Sequence, residues 1–159
     1  QGVSSAASDV YKRQNQTISL ITENDIEISN ELTEMDLGQW EGLTTSELLN
    51  KYQENFIQAL FINHKTKYGI DGESIHEAGK RVESLINDLE KKKLLMASHG
   101  GTIKSAITKL IKSPDSKAAA AFTIPNNLGV SCLVPKDNKY ILWSYNVGKI
   151  GYENISYNK

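Results

Sequence analysis

Apolar side chains recur at helical spacing in three stretches of the chain. In one stretch they occupy a single helix face, at Ile103, Ala106, Ile107, Leu110 and Ile111. A second such stretch begins after Ser74, and a third covers roughly residues 45–64. Thr44 with Glu47, and Ser74 with Glu77, have the spacing of a capping box, so two of the predicted helices begin at these positions.

Four shorter apolar runs are predicted to be strands. The first two are Ile26–Leu32 and Leu94–Ala97. The other two lie near Val130–Val134 and Tyr140–Tyr145, and residues 135–138 form a turn between them. Because strands and helices alternate along the chain, the pattern favours an α/β layered fold.

The sequence Ser-His-Gly-Gly-Thr at residues 98–102 joins the predicted strand Leu94–Ala97 to a helix. It places the His99 imidazole beside the free N–H groups of a helix amino terminus, which favour bound anions. Gly100 and Gly101 permit a tight turn and let a bound group approach the backbone closely. Ligands of open α/β sheets bind beyond the carboxyl ends of strands, and His99 is predicted to lie at such an end.

A second segment, Leu32–Gly42, holds three carboxylates among apolar and aromatic neighbours. The predicted strand before it delivers Glu34 to a strand end. A carboxyl group in a partly apolar pocket can keep its proton and act as a general acid. Glu41 is predicted to bond to nearby backbone, and Trp40 to lie in the core or in a pocket wall.

Together these segments resemble the histidine phosphatase superfamily, also called the phosphoglycerate mutase-like family. The family pattern L-x-E-x-x-x-G-x-W-E-G is matched by Leu32–Gly42, its G-E-S element by Gly72–Ser74, and its S-H-G-G-T-I element by Ser98–Ile103. Their order and spacing also match, over about residues 15–159. The Trp-Glu-Gly after the acid looks like the broad phosphatase branch, which includes α-ribazole phosphatase-like members. The resemblance implies a three-layer α/β fold, with a mostly parallel sheet and helices on both faces.

The resemblance also implies phosphomonoester hydrolysis through a phosphohistidine intermediate, without a cofactor or a metal. In the family, the histidine of an Arg-His-Gly motif attacks the ester, a second histidine and two arginines hold the phosphoryl group, and an acid protonates the leaving oxygen. His99 matches the second histidine and Glu34 the acid. The other phosphate-binding or substrate-binding candidates are Gly100, Gly101, Glu73 and Ser74. Ser74 is equally explained as a helix cap.

The amino-terminal segment departs from the family pattern. Residues 1–14 look like the translation of a sequencing-library adapter and are predicted not to belong to the packed domain. We therefore expect a domain over residues 15–159 that lacks the Arg-His-Gly strand and its nucleophile, and a chain that is a poor catalyst and a poorly stable fold. Gln16-Thr17 matches the end of the family's arginine-bearing stretch. Arg13 falls at that arginine's offset, which makes it a secondary phosphate-binding candidate.

Composition narrows the expected partners. The 159-residue chain has a net charge of −1 and no basic stripe, so no nucleic acid partner is predicted. No apolar run is long enough to cross a membrane, and the cytoplasm is the default location. The predicted partner is a small-molecule phosphomonoester, and the oligomeric state cannot be read from the sequence.

Three further side chains are assigned structural roles. His64 and His76 are predicted to be exposed helix residues, and with His99 they show no metal-ligand spacing. Cys132 lies in an apolar run and is predicted to be a buried, reduced thiol.

Three alternatives stay open at the level of function. The first is phosphoglycerate mutase-type phosphoryl transfer. The second is a non-catalytic module that keeps His99 and binds phosphate without turnover. The third, an α/β-hydrolase esterase, is disfavoured because Met96 stands where the nucleophile elbow would need a glycine. An upstream Arg-His-Gly would favour the enzyme over the binding module.

Overall fold

The computed structural model describes residues 12–23, 25–89, 93–112, 122–137 and 139–148. Four helices run through the described residues: α1 comprises the helical residues 12–19, followed by α2 (Thr45–Ile57), α3 (Ile75–Asp88) and α4 (Gly100–Leu110). A π-helical turn, Gln58–Ile62, extends α2. No helix in these ranges is long and apolar enough to cross a bilayer.

Both predicted capping boxes are confirmed. The Thr44 side chain accepts a hydrogen bond from the Glu47 N–H, and the Glu47 carboxylate accepts one from the Thr44 N–H. Ser74 and Glu77 make the same reciprocal pair at the start of α3. Each pair satisfies N–H groups that a helix amino terminus would otherwise leave unbonded, which fixes where the helix begins.

Two loops interlock in front of α3, and glycines make their contact possible. Gly38 and Gly69 both have φ near +54°, a conformation that disfavours residues with a side chain. A Cβ atom on Gly38 would lie 2.3 Å from Oδ1 of Asp71, and one on Gly69 would lie 2.4 Å from the Leu37 carbonyl oxygen. The Gln39 N–H donates to Oδ1 of Asp71 over 3.0 Å. The loop that carries the candidate acid is therefore fixed against the loop that begins α3.

The core consists of two clusters. One surrounds Trp40, which is 2% exposed, as predicted for a core residue, and its ring centroid lies 5.2 Å from that of Tyr68. The other lies between α3, α4 and the carboxyl-terminal hairpin, with Val82, Ala106 and Leu110 at its centre. The site segments at residues 32–35 and 98–102 border these clusters.

The sheet differs from the prediction. Among the described residues it consists of two antiparallel strands, β1 (Val130–Lys136) and β2 (Lys139–Val147), with Val134 paired to Ile141. The two carboxyl-terminal strands are confirmed, although β1 runs through Pro135 and Lys136, which were predicted to be in the turn.

The two earlier strands, and with them the predicted three-layer, mostly parallel sheet, are not formed in the described part of the chain. Asn30–Leu32 is a 3-10 turn instead of the end of a strand, and residues 93–99 join no ladder. A strand requires a neighbour that completes its hydrogen bonds, and the described residues supply none beside either segment. Ile28 and Leu95 are accordingly 64% and 60% exposed.

Three side-chain predictions were wrong. Cys132 is exposed, because strand alternation turns it outward while Leu133 faces the core. Apolar residues at 130, 132, 133 and 134 fall on both faces of the strand, so the sequence gave no sign of which face would be covered. His64 and His76 are half-buried, because the backbone N–H of His76 donates to the carbonyl of His64 and draws the two rings together.

Candidate active site

The predicted anion-binding motif lies at the amino end of α4. His99 is its N-cap residue, and the next two residues are Gly100 and Gly101. In the described part of the chain, the N–H groups of these glycines donate to no other atom. Open N–H groups at a helix terminus, together with the helix dipole, favour an anion.

Both glycines lie close against neighbouring side chains. A Cβ atom on Gly100 would lie 2.4 Å from Cγ2 of Ile124, and one on Gly101 would lie 2.8 Å from Oε1 of Glu34. Because neither glycine has a side chain, the backbone can approach the Glu34 carboxylate and leave its N–H groups accessible.

Glu34 lies directly against the start of α4. Its Oε1 accepts hydrogen bonds from the backbone N–H groups of Met35, over 2.9 Å, and Thr102, over 3.2 Å. The hydroxyl of Thr102 lies 3.4 Å from the same oxygen. The carboxyl group is thereby held between the Met35 and Thr102 N–H groups, beside the amino end of α4. The structure brings the two predicted catalytic residues, Glu34 and His99, into one site.

His99 is held in an environment that favours the neutral imidazole. Its Nε2 is buried and has no hydrogen-bond partner in the described structure. Burial lowers the pKa of His99, while the nearby Glu34 carboxylate raises it and the Arg13 charge lowers it further; the net pKa lies below its ordinary value. A phosphate group bound here would meet an unpaired ring nitrogen and would favour its protonation.

Short side-chain bonds fasten the acid loop to the α4 loop. The Ser98 hydroxyl donates to the Leu32 carbonyl over 2.7 Å, and the Thr102 hydroxyl donates to the Thr33 carbonyl over 2.6 Å. Thr102 is fully buried. The two sequence segments that carry the motifs are therefore joined directly by hydrogen bonds.

Arg81 of α3 completes this unit, and the sequence analysis missed it. Its Nε and Nη2 donate hydrogen bonds to the two oxygens of the Glu73 carboxylate, over 2.7 and 3.1 Å. The same guanidinium donates to the carbonyls of Glu31 and Thr33 and to the Thr102 hydroxyl. One sequence feature could have identified Arg81. It is a charged residue between the apolar positions of an amphipathic helix, and a charge in such a position needs a buried partner.

The structure gives the two predicted substrate-loop residues internal partners. Glu73 is bound by Arg81. Ser74 is 2% exposed, and its hydroxyl donates to Oε2 of Glu77 within the capping box. Glu41 accepts from the Leu37 N–H over 3.1 Å, which confirms its predicted backbone contact.

The amino-terminal helix reaches the same site. Arg13 is exposed on α1, at a position from which its charge acts on His99. The Gln14 side chain donates to the Leu32 carbonyl over 2.7 Å, so the last residue of the adapter-like segment contacts the acid loop. Residues 1–11 of that segment lie outside the described residues.

Comparison with known proteins shows which family and fold the chain is similar to. The sequence model of the histidine phosphatase superfamily, branch 1, matches residues 2–148. A mycobacterial glucosyl-3-phosphoglycerate phosphatase in complex with inorganic phosphate is similar in structure, with a TM-score of 0.74 and 18% identity, over 84% of this chain and 70% of that chain. A second mycobacterial protein, described as hydrolase 1, gives a TM-score of 0.75 and 19% identity, over 91% and 81% of the two chains.

A third similar structure is a phosphoserine phosphatase variant from Entamoeba histolytica in complex with phosphoserine. It gives a TM-score of 0.66 and 25% identity, over 78% of this chain and 63% of that chain. No curated protein sequence gives a significant match. The neighbours have the histidine phosphatase fold, which confirms the α/β class although the described residues contain only the β1–β2 sheet.

Proposed function

The chain belongs to branch 1 of the histidine phosphatase superfamily, and from this premise we propose that it acts on small phosphomonoesters. The observation that carries the proposal is the pair of open N–H groups at Gly100 and Gly101, beside the unpartnered Nε2 of His99. A phosphoryl group in this position would receive hydrogen bonds from the backbone and from the imidazole, as charge develops on its oxygens.

Glu34 is the proposed proton donor. Its carboxylate accepts a hydrogen bond from the Thr102 N–H at the start of α4, next to the place proposed for the phosphoryl group. A phosphomonoester bound at the open N–H groups of Gly100 and Gly101 would lie next to this side chain, since a Cβ atom on Gly101 would be only 2.8 Å from Oε1 of Glu34. Glu34 can then protonate the leaving oxygen as the ester bond breaks.

We propose that the nucleophile comes from a strand bearing Arg-His-Gly. The observations that support such a strand are the segments 25–29 and 93–98, which join no ladder among the described residues and expose Ile28 and Leu95. A strand inserted there would cover both side chains and bring its histidine near His99. That histidine would displace the alcohol from phosphorus and form an N–P bond, which water then cleaves to release phosphate.

The substrate is proposed at the level of class. The neighbours' names refer to esters as different as phosphoserine and glucosyl-3-phosphoglycerate, which share only a phosphate on a small polar molecule. Phosphoglycerate mutase-type transfer and phosphate binding without turnover are the alternatives. One observation favours phosphate binding without turnover. His64 and His76 face each other in a separate cavity, so neither is placed to act as a nucleophile at the His99 site.

The test compares hydrolysis of an alkyl phosphate and an activated aryl phosphate by this chain and by a form extended with an Arg-His-Gly strand. We expect turnover from the extended form and little from the chain alone. His99→Gln should lower kcat of the extended form by about 10²–10³. Glu34→Gln should slow the alkyl ester more than the aryl ester, whose leaving group needs little protonation.

Glu54→Gln is the matched control for the acid, because Glu54 is an exposed carboxylate on α2. It should leave both rates unchanged. Equal losses on the two esters in Glu34→Gln would reject the proton-donor role. An extended form that binds phosphate at His99 without hydrolysing either ester would favour the binding module.

A further inference from the structure

A second polar cavity lies outside the candidate active site. It has a volume of about 270 Å³ and lies between α3, α4 and the turn after the π-helical segment. Its polar lining comes from His64, His76, Ser105, Thr108, Lys109 and Lys112. None of the residues assigned above to phosphate binding or proton donation lines it.

Two imidazoles face each other in this cavity. The ring centroids of His64 and His76 are 5.8 Å apart, with the planes inclined at 33°. The backbone N–H of His76 donates to the His64 carbonyl over 2.9 Å, so the pair is held by main-chain structure. Nδ1 of His64 is buried without a partner in the described structure. Such a buried polar atom destabilises the fold unless a bound group supplies its hydrogen bond.

The charged groups that act on His76 are all positive. Burial is the first cause that lowers the pKa of His76, and the charges of Lys109, His64, Lys65 and Lys80 lower it further.

Two carboxylates lie close to the cavity, and each is already engaged. Glu83 lies 3.4 Å from the Lys109 ammonium, and Glu77 lies 3.6 Å from the Lys67 ammonium while it also caps α3. The lysines therefore outnumber the carboxylates around the cavity.

We propose that this cavity is a second anion site, which binds a phosphate group, either free or carried on a small molecule. The two imidazoles and the Lys109 ammonium are the donors that a phosphate dianion requires. The volume is slightly below the roughly 300–1,000 Å³ of sites for larger ligands, which suits a small anion. A metal cation would be opposed by the surrounding lysines, and no three metal-binding side chains converge in the described part of the chain.

The chain has only three histidines, so each can be followed by the C2 proton signal of its ring in NMR. The pH titration is run in chloride and in phosphate at equal ionic strength, with signals assigned by single substitutions. We expect phosphate to raise the pKa of His76 by about one unit, because an opposite charge favours the protonated ring. Repeating the titration in His99→Gln separates this site from the proposed catalytic one.

Lys109→Met should remove most of the shift at His76 while keeping the side-chain stem that packs on α3. Lys51→Met is the matched control, since Lys51 is exposed on α2 over the Tyr52 ring, and it should leave the shift unchanged. Circular dichroism checks that both variants fold, and Lys109→Arg should retain the shift if Lys109→Met does not fold.

A pKa of His76 that is the same in chloride and phosphate would overturn the proposal. A shift that survives in Lys109→Met but not in His99→Gln would also overturn it, since the anion would then act from the His99 site. Signals of His64 and His76 that respond to Zn²⁺ and not to phosphate would show a metal site instead.

Discussion

At the scale of single residues, Arg81 has more structural partners than any other side chain near the site. One guanidinium joins Glu73, the carbonyl of Thr33 and the hydroxyl of Thr102, which come from three separate segments. A lysine has the same charge but a single point donor, so it cannot reproduce this planar fork. Arg81 therefore acts as a positioning residue for Glu34, which directly follows Thr33.

Arg81→Lys is expected to lower the free energy of unfolding by about 1–3 kcal/mol, since hydrogen bonds to a charged group are lost from a partly buried site. The measurement is urea unfolding, in a double-mutant cycle of Arg81→Met and Glu73→Gln. The cycle should give a coupling energy well above that of an exposed pair, about 0.2–1 kcal/mol. A coupling energy near zero would show that the Arg81–Glu73 contact does not organise the loop.

At the scale of elements, the packing of α3 on α4 depends on one small residue. A Cβ atom on Gly79 would lie 2.5 Å from the Ser105 carbonyl oxygen and 2.7 Å from Cβ of Lys109. The first of these atoms is backbone, so it can move only with the whole helix. Because the amino end of α4 holds the proposed phosphate-binding groups, the helix contact also sets the geometry of the candidate site.

Gly79→Ala should therefore destabilise the protein by about 1–3 kcal/mol through overpacking, despite the higher helix propensity of alanine. Gly148→Ala is the control, because no atom of the other described residues lies within 4 Å of its Cβ position. It should change stability by less than about 0.5 kcal/mol. Thermal or urea unfolding gives both values, and a neutral or stabilising Gly79→Ala would contradict the close helix contact.

At the scale of the whole molecule, we expect the free energy of unfolding to fall at both alkaline and acidic pH, and the groups responsible can be named. Burial raises the pKa of Tyr68 to about 12, from 10.0. Between these values the unfolded chain has lost the phenolic proton and the folded one retains it, so stability falls as the pH rises. The lowered pKa of His76 and of His99 has the opposite sign, and stability is lost as the pH falls through about 6.5.

Tyr68→Phe tests the alkaline side. The two-unit difference corresponds to about 2–3 kcal/mol of stability that the native protein loses between pH 10 and pH 12 and the variant keeps. The measurement is urea unfolding as a function of pH, with Tyr52→Phe as the control from the same aromatic cluster. The same alkaline loss in Tyr68→Phe and the native chain would show that another group is responsible.

The sequence by itself determined the local structure. Apolar spacing and two capping boxes predicted α2 and α3, because a helix begins and ends through contacts among residues a few positions apart. Glu34 and His99 were also predicted as site residues from the sequence, since the motifs that carry them are short and distinctive.

Only the tertiary structure decided which distant groups meet. A strand forms only when a second strand, often remote in sequence, completes its hydrogen bonds. The apolar runs at residues 26–32 and 94–97 therefore could not show that neither segment pairs with a strand among the described residues. The sequence likewise could not predict the ion pair between Arg81 and Glu73 or the contact between the rings of His64 and His76. Burial and charge depend on neighbours brought together by folding, and a linear pattern does not record them.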